Sequence, residues 1–274
     1  MKDKRKEVIT YLILAIMVII SLFPFYFMFI SATNSNREIL AAPPSMLPGR
    51  HLLDNMEKLN KKIDIGRVLF NSLFVAICYT ILSVLISSMA GYALVKYRFK
   101  GRNALFMVIM VTMMIPAESM YIPLFTMMNK IGWANTYSSV IIPPLANAFG
   151  LFLMRQNFSS FPTSLIEAAR IDGYNEMQIF WRIVMPNMKP AVAALGIYMF
   201  NSAWNNFMWP LIILNGKKMY TFPVALAMLE GNQRSVDFGT IMLGASLTTL
   251  PIMIIFLMFQ RHFIAGVMGG AVKE

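Results

Sequence analysis

An uncharged apolar run of 23 residues, Val8 to Ile30, constrains the fold of this chain more than any other feature. As a helix it extends about 34 Å, enough to cross the hydrocarbon core of a bilayer. Further apolar blocks follow at Val68–Leu94, Ala104–Met128, Ser138–Met154, Ala191–Leu214 and Thr240–Phe259. Backbone groups in lipid have no water to bond, so these blocks read as helices rather than open sheet. The chain is therefore expected to be an all-α membrane protein with six transmembrane helices. Its composition agrees: 57% of residues are hydrophobic and 14% charged, where a soluble domain carries about a quarter charged. Met1–Glu7 is basic, as the start of a signal peptide would be. The run behind it is too long for one, and no small-residue cleavage site follows convincingly, so the first span is read as retained.

The formal charge of +11 raises the question of nucleic acid, which its placement answers. Lys2, Lys4, Arg5 and Lys6 precede the first span, and Lys96, Arg98, Lys100 and Arg102 fill the short loop between the second and third. Arg155, Arg170, Arg182 and Lys189 lie between the fourth and fifth; Arg261 and Lys273 follow the sixth. With six spans all four segments share one side, and the positive-inside rule places both termini in the cytoplasm. The outer segment Ser31–Arg67 has six basic residues, but four acidic ones dilute them. Charge here sets topology against lipid, and no nucleic-acid partner is expected. The lone cysteine, Cys78, lies inside the second span and permits no internal disulfide.

Several chemistries fall away. The histidines, His51 and His262, belong to segments on opposite sides of the membrane, so no histidine metal pair is expected. No G-x-x-x-x-G-K-[ST] pattern is present, so ATP hydrolysis is not expected of this chain. The spans carry almost no ionisable residue beyond Glu118, near the outer end of the third. Ion-coupled carriers usually place acids near the midplane, which weakens that alternative without removing it. A membrane enzyme would need convergent acid, base or metal ligands, and none is apparent.

The most informative segment is the cytoplasmic loop Arg155–Pro190. It contains Glu167-Ala168-Ala169-Arg170-Ile171-Asp172-Gly173, then nine residues, then Ile183-Val184-Met185-Pro186. Two short helices joined at a glycine are expected. Ser164 is placed to cap the first, with Glu167 three residues on completing a capping box. Gly173 sits where a helix ends in a left-handed residue. Asn175 and Gln178 form a second capping box, and Pro186 is expected beyond the end of the second helix. Met177, Phe180, Trp181 and Val184 give that helix an apolar face outside the bilayer, suited to a partner or to the base of the bundle.

This spacing (EAA, three residues, G, nine residues, I-x-L-P) resembles the coupling-loop signature of binding-protein-dependent ABC importer permeases. Met185 stands in for the usual leucine and Tyr174 for a residue that is commonly alanine. Asn71-Ser72-Leu73, Ala90-Gly91-Tyr92-Ala93, Phe99-Lys100-Gly101-Arg102, Ile141-Ile142-Pro143-Pro144, Trp204-Asn205-Asn206-Phe207 and Gly269-Gly270-Ala271-Val272-Lys273 are similar to the carbohydrate branch. The smaller permease of the maltose importer belongs to that branch. The resemblance implies a type I ABC importer permease fold in the plasma (inner) membrane of a prokaryote. It also implies a second, non-identical permease subunit, two cytoplasmic ATPase subunits and an external sugar-binding protein. No cofactor is then expected on this chain, ATP and magnesium belonging to the ATPase subunits. On this reading residues 1–67 form the tail, first span and outer loop, 68–263 the permease core, and 264–274 a cytoplasmic tail. A relative importing a different small solute is the remaining alternative.

The resemblance also suggests roles for single residues. Glu167, Ala168, Ala169, Asp172, Gly173, Ile183 and Pro186 would form the element that docks on the ATPase, although for Glu167 the local capping role is preferred. Asn201, Trp204, Asn205 and Asn206 are polar or amphipathic within an apolar span and cannot face lipid cheaply. They suit either a translocation pathway or ordinary bonds between helices, and the latter is preferred. Pro116, Pro143 and Pro144 are expected to kink the third and fourth spans. In the outer loop 215–239, Pro223 opens a short helix that ends at Gly231. Pro223, Ala227 and Gln233 are candidates for contact with the binding protein, packing onto the bundle being the alternative.

Overall fold

A computed structural model describes residues 2–231 and 236–268 of the chain. In chain order its principal helices are α1 (Lys2–Ser31), α2 (Leu52–Lys62), α3 (Ile65–Lys96), α4 (Arg102–Thr112) and α5 (Tyr121–Lys130). Then come α6 (Tyr137–Ile141), α7 (Ala148–Ser159), α8 (Thr163–Ile171), α9 (Glu176–Asn187) and α10 (Lys189–Trp204). The last are α11 (Met208–Ile213), α12 (Phe222–Gly231) and α13 (Phe238–Met268). No strand occurs among the described residues.

Among the described residues, three helices are by themselves long and apolar enough to cross a membrane: Lys6–Ser31 within α1, α3, and Phe238–Met258 within α13. The other expected spans are broken, each for a local reason. Between α4 and α5 the chain turns by 93°. Pro116 sits there in an extended conformation, with no N–H to continue a helix. Between α6 and α7 the bend is 45°, at Pro143-Pro144, and Asn147 restarts the helix by accepting from the Gly150 N–H at 2.8 Å. The fifth expected span divides into α10 and α11 around Asn205–Phe207. With 16 residues α10 extends only about 24 Å, so it cannot cross alone.

The chain divides into two compact units. In the first, Met1–Gly66 with Ala225–Pro251, Leu59 is fully buried among Ala32, Leu229 and Leu243. Asn55 donates to the carbonyls of Ala32 and Asn34, both at 3.0 Å. None of the apolar window of α1 is buried, so that stretch is left to lipid or to another protein, while Ser31 at the end of the helix is buried. The second unit, Arg67–Val224 with Ile252–Glu274, holds the larger core. Met154, Phe158, Ile179, Val184, Leu195 and Met199 are at its centre. Close approach of α3 and α7 needs a residue without a side chain: a Cβ on Gly91 would lie 2.9 Å from the Arg155 amide nitrogen.

At the other end of α3 from the loop between α7 and α10, polar side chains fix the segment between α11 and α12. The buried Asn71 amide donates to the carbonyls of Lys218 (3.0 Å) and Tyr220 (2.9 Å), and accepts from the Tyr137 hydroxyl at 2.7 Å. Ser72 Oγ accepts from the Phe222 N–H at 2.6 Å, and Asn135 Oδ1 from the N–H groups of Asn215 and Gly216. Trp209 Nε1 donates to the Ser139 carbonyl at 2.8 Å.

Candidate functional site

The loop between α7 and α10 folds as two helices with a glycine turn, α8 and α9. The turn is a Schellman motif: the Gly173 N–H donates to the Arg170 carbonyl (3.1 Å) and the Tyr174 N–H to that of Ala169 (3.0 Å). It requires φ +83° at Gly173, left-handed as the sequence indicates. Asn175 and Gln178 form their capping box, each side chain accepting from the other's backbone at 2.9 and 3.0 Å.

Two details differ from expectation. Helix α8 starts at Thr163, with Pro162 at the cap position in extended conformation and offering no side-chain acceptor. Ser164 thus falls inside the first turn and cannot cap, so the Ser164–Glu167 box does not form. Glu167 is exposed, and among the described residues its carboxylate has no hydrogen-bond or ion-pair partner. Second, α9 runs past Pro186 to Asn187 before bending 82° into α10. Its middle, Phe180–Val184, is a π-helix. An α-helix would drive the Pro186 ring into the carbonyl four residues back, that of Arg182, and the wider π-turn lies where that clash would fall.

The pair has two faces. Ile166, Ala169, Ile179, Phe180 and Val184 are buried in the core, where Phe180 packs on Tyr92, ring centroids 5.3 Å apart. The expected face of Met177, Phe180, Trp181 and Val184 is thus divided, with Met177 and Trp181 left outside. They join exposed Leu165, Tyr174 and Ile171, the last 87% accessible. Ala168, Asp172, Gly173 and Pro186 are exposed too, Ile183 is half-buried, and only Ala169 of the expected contact residues belongs to the core.

A polar cluster that the sequence did not indicate sits at the end of α3 that meets α8 and α9. Glu176, the first residue of α9, receives a hydrogen bond from Arg170 Nε on Oε1 (2.7 Å) and from the Tyr97 hydroxyl on Oε2 (2.9 Å). The Arg170 bond, ahead of other causes, holds the Glu176 carboxyl below its usual range. Burial first, then the bond to Glu176, pushes Tyr97 up to about 12. The carboxylate is therefore ionised and the phenol a neutral donor at neutral pH. Beside them Lys96 Nζ donates to the Phe161 carbonyl at 2.7 Å, fixing the start of α8.

The amides of α10 lie elsewhere. Asn201 and Asn205 share an exposed face, as their spacing predicts, and Asn205 Nδ2 donates to Asn201 Oδ1 at 2.8 Å. Asn206 and Ser202 line a cavity of about 40 Å³ beside Tyr79 and Pro144. Small-molecule sites commonly measure roughly 300–1,000 Å³, so no sugar fits there. Trp204, expected with these amides, is buried instead, its ring stacked on Phe200 against Ala76. Its size and flatness satisfy core packing better than a polar surface, and it does not join them.

Helix α12 forms where Pro223 and Gly231 indicate. Val224, Ala225 and Leu229 are buried, and Leu226 and Leu229 pack with Leu59 and Leu243, which supports packing onto the bundle for that side. Pro223 and Ala227 are half-buried and Met228 exposed. Gln233, and the tail motif Gly269–Lys273, lie outside the described residues.

Comparison with known proteins matches the family model described as "binding-protein-dependent transport system inner membrane component" to residues 83–269. The chain is similar to the lactose transport system permease protein LacG of Rhizobium radiobacter, 35% identical over 98% of this chain and 97% of that one. It is 36% identical, over the whole of both chains, to the arabinooligosaccharides transport system permease protein AraQ of Halalkalibacterium halodurans. To the sn-glycerol-3-phosphate transport system permease protein UgpE of Pectobacterium atrosepticum it is 32% identical over 95% of each. Among solved structures it resembles a chain of a bacterial ABC transporter involved in the import of the acidic polysaccharide alginate. The TM-score is 0.83 at 25% identity, covering 96% of this chain and 98% of that one.

Proposed function

The chain belongs to the family of binding-protein-dependent transport system inner membrane components, and on that premise we propose that it is a permease subunit of an ATP-driven sugar or oligosaccharide importer. The observation that carries the proposal is the helix pair α8–α9, anchored by one face, whose other face leaves Leu165, Ile171, Met177 and Trp181 uncovered beside Glu167 and Asp172. Exposed apolar residues in such a cluster mark an interaction surface. The occupant is a separate ATPase subunit, two per importer, each binding its own ATP and magnesium. Nucleotide-driven closure of that pair moves α8 and α9, and through the bend at Met188 moves α10. The positive-inside distribution supports cytoplasmic N- and C-termini, which brings the coupling loop to the same side.

The amides Asn201, Asn205 and Asn206 would line a pathway completed by a second, non-identical permease. Two of them are exposed on the surface of this chain, and the small cavity behind the third cannot enclose a sugar. The outer helix α12 would offer Pro223 and Ala227, with Gln233 beyond it, to a sugar-binding protein that delivers and leaves. The relatives named for lactose and arabinooligosaccharides support carbohydrate; the relative named for sn-glycerol-3-phosphate supports a smaller polyol derivative as second reading.

The test is reconstitution with the second permease, the ATPase subunits and the solute-binding protein in vesicles. ATP-dependent uptake of labelled lactose or arabinooligosaccharide is expected, abolished by omitting the ATPase. Uptake independent of ATP would refute the importer reading. Uptake of glycerol-3-phosphate alone would leave the machinery standing and replace its cargo.

A further inference from the structure

Helix α9 reaches α10 through the backbone, but its link to α3 is entirely non-covalent. The Tyr92 ring packs on Phe180 without a polar contact, and the buried Tyr92 hydroxyl has no hydrogen-bond partner among the described residues. Directional contact between α3 and α9 comes from one carboxylate. Glu176 takes Tyr97 on one oxygen and Arg170, at the end of α8, on the other. Three segments (the end of α3, the end of α8 and the start of α9) therefore meet on this side chain.

We propose that Glu176 is a positioning residue for coupling: its carboxylate clasps both coupling helices to the cytoplasmic end of α3, so that displacement of the pair is passed to α3 as well as to α10. The inference rests on the importer reading and deepens it. Stability of the fold is not the main role, because the side chains of Glu176 and Arg170 are 43% and 45% exposed and pairs so solvated contribute little. What the clasp supplies is direction. A glutamine has one acceptor oxygen where the carboxylate has two, and that oxygen must serve Arg170, which cannot accept. Tyr97 keeps a contact only by turning from donor to acceptor, and both bonds to a charged acceptor are lost in Glu176→Gln.

The experiment uses the full reconstituted complex with wild-type, Glu176→Gln, Tyr97→Phe and doubly substituted permease. Substrate moved per ATP hydrolysed is measured with basal hydrolysis and co-purification of the subunits. Each single substitution is expected to lower the transport ratio at least about twofold, the lower end of coupling within one hydrogen-bonded group. Basal hydrolysis and co-purification should stay unchanged, and the double variant should be no worse than the poorer single. Wild-type ratios in both singles, or effects that multiply in the double, would overturn the proposal. So would loss of co-purification in both, which would make the carboxylate part of the fold. Amide exchange in residues 170–180 of the isolated permease tests the clasp without any activity: both variants should exchange faster, and unchanged rates would refute it. Absence of ATP-driven uptake by the wild-type complex would instead sink the importer reading.

Discussion

Substitution at Gly173 separates conformation from bulk, because a Cβ placed there would meet nothing within 4 Å while φ stays at +83°. In the isolated chain, then, the whole penalty is backbone strain. A residue with a Cβ loses about 1–2 kcal/mol in the left-handed region, and a branched one more. For Gly173→Ala this lowers the ratio of formed to open turn by roughly 5- to 30-fold. Gly173→Asn should cost least, since asparagine visits this region most readily, and Gly173→Val most. The direct assay is hydrogen exchange at the Gly173 and Tyr174 amides, which the turn protects through Arg170 and Ala169. Substrate-stimulated ATP hydrolysis by the assembled complex should fall in the same order, glycine, asparagine, alanine, valine, with the subunit still inserted. Valine behaving as glycine in both assays would refute the reasoning. Asparagine as damaging as valine would show that the partner senses bulk, not backbone shape.

Other perturbations have equally definite outcomes. Asn71→Ala removes three hydrogen bonds at a buried site and should destabilise the detergent-purified protein by about 2–4 kcal/mol in thermal unfolding, whereas Tyr137→Phe, losing one, should cost about 1; equal effects would show that the amide does not organise the network. Gly91→Ala forces α3 and α7 apart, since its Cβ would sit 2.9 Å from backbone, and should cost about 1–3 kcal/mol by the same measurement. In a Cys78-free background, an impermeant thiol reagent on intact cells should label a cysteine at Ser35 and spare one at Asn103; the reverse pattern would invert the topology. A cysteine at Ala227 should cross-link to the solute-binding protein during turnover, and capture only at other outer loops would leave α12 as bundle packing.

Local chemistry made part of this structure legible in advance. Apolar block length revealed the spans, and Pro116 and Pro143-Pro144 marked two of the breaks, because both signals act within a few residues. The size of each bend was not legible: similar proline signals give 93° in one place and 45° in another. Two capping boxes fitted the loop equally well as patterns, but only Asn175–Gln178 formed. Pro162 starts α8 earlier and takes the cap position from Ser164, a competition the four-residue pattern does not contain. Trp204 looked like a neighbour of its amides until packing drew its ring inward to Phe200. The Tyr97–Glu176 bond joins residues 79 positions apart and leaves no periodic trace.

The Asn71 network carries a consequence in time. Its carbonyl partners on Lys218 and Tyr220 lie 147 and 149 positions downstream. At synthesis rates of about 5–20 residues per second, Asn71 waits on the order of 7–30 s between its own translation and that of its partners. Throughout that interval the amide N–H groups of Asn71 at this end of α3 lack their native acceptors, although Tyr137, 66 positions downstream, is made in time to donate to the Asn71 oxygen. The segment between α11 and α12 therefore locks only after α3 to α11 have been made. Nascent chains ending before Lys218 should keep this end open, and synthesis through Phe222 supplies the groups that close it.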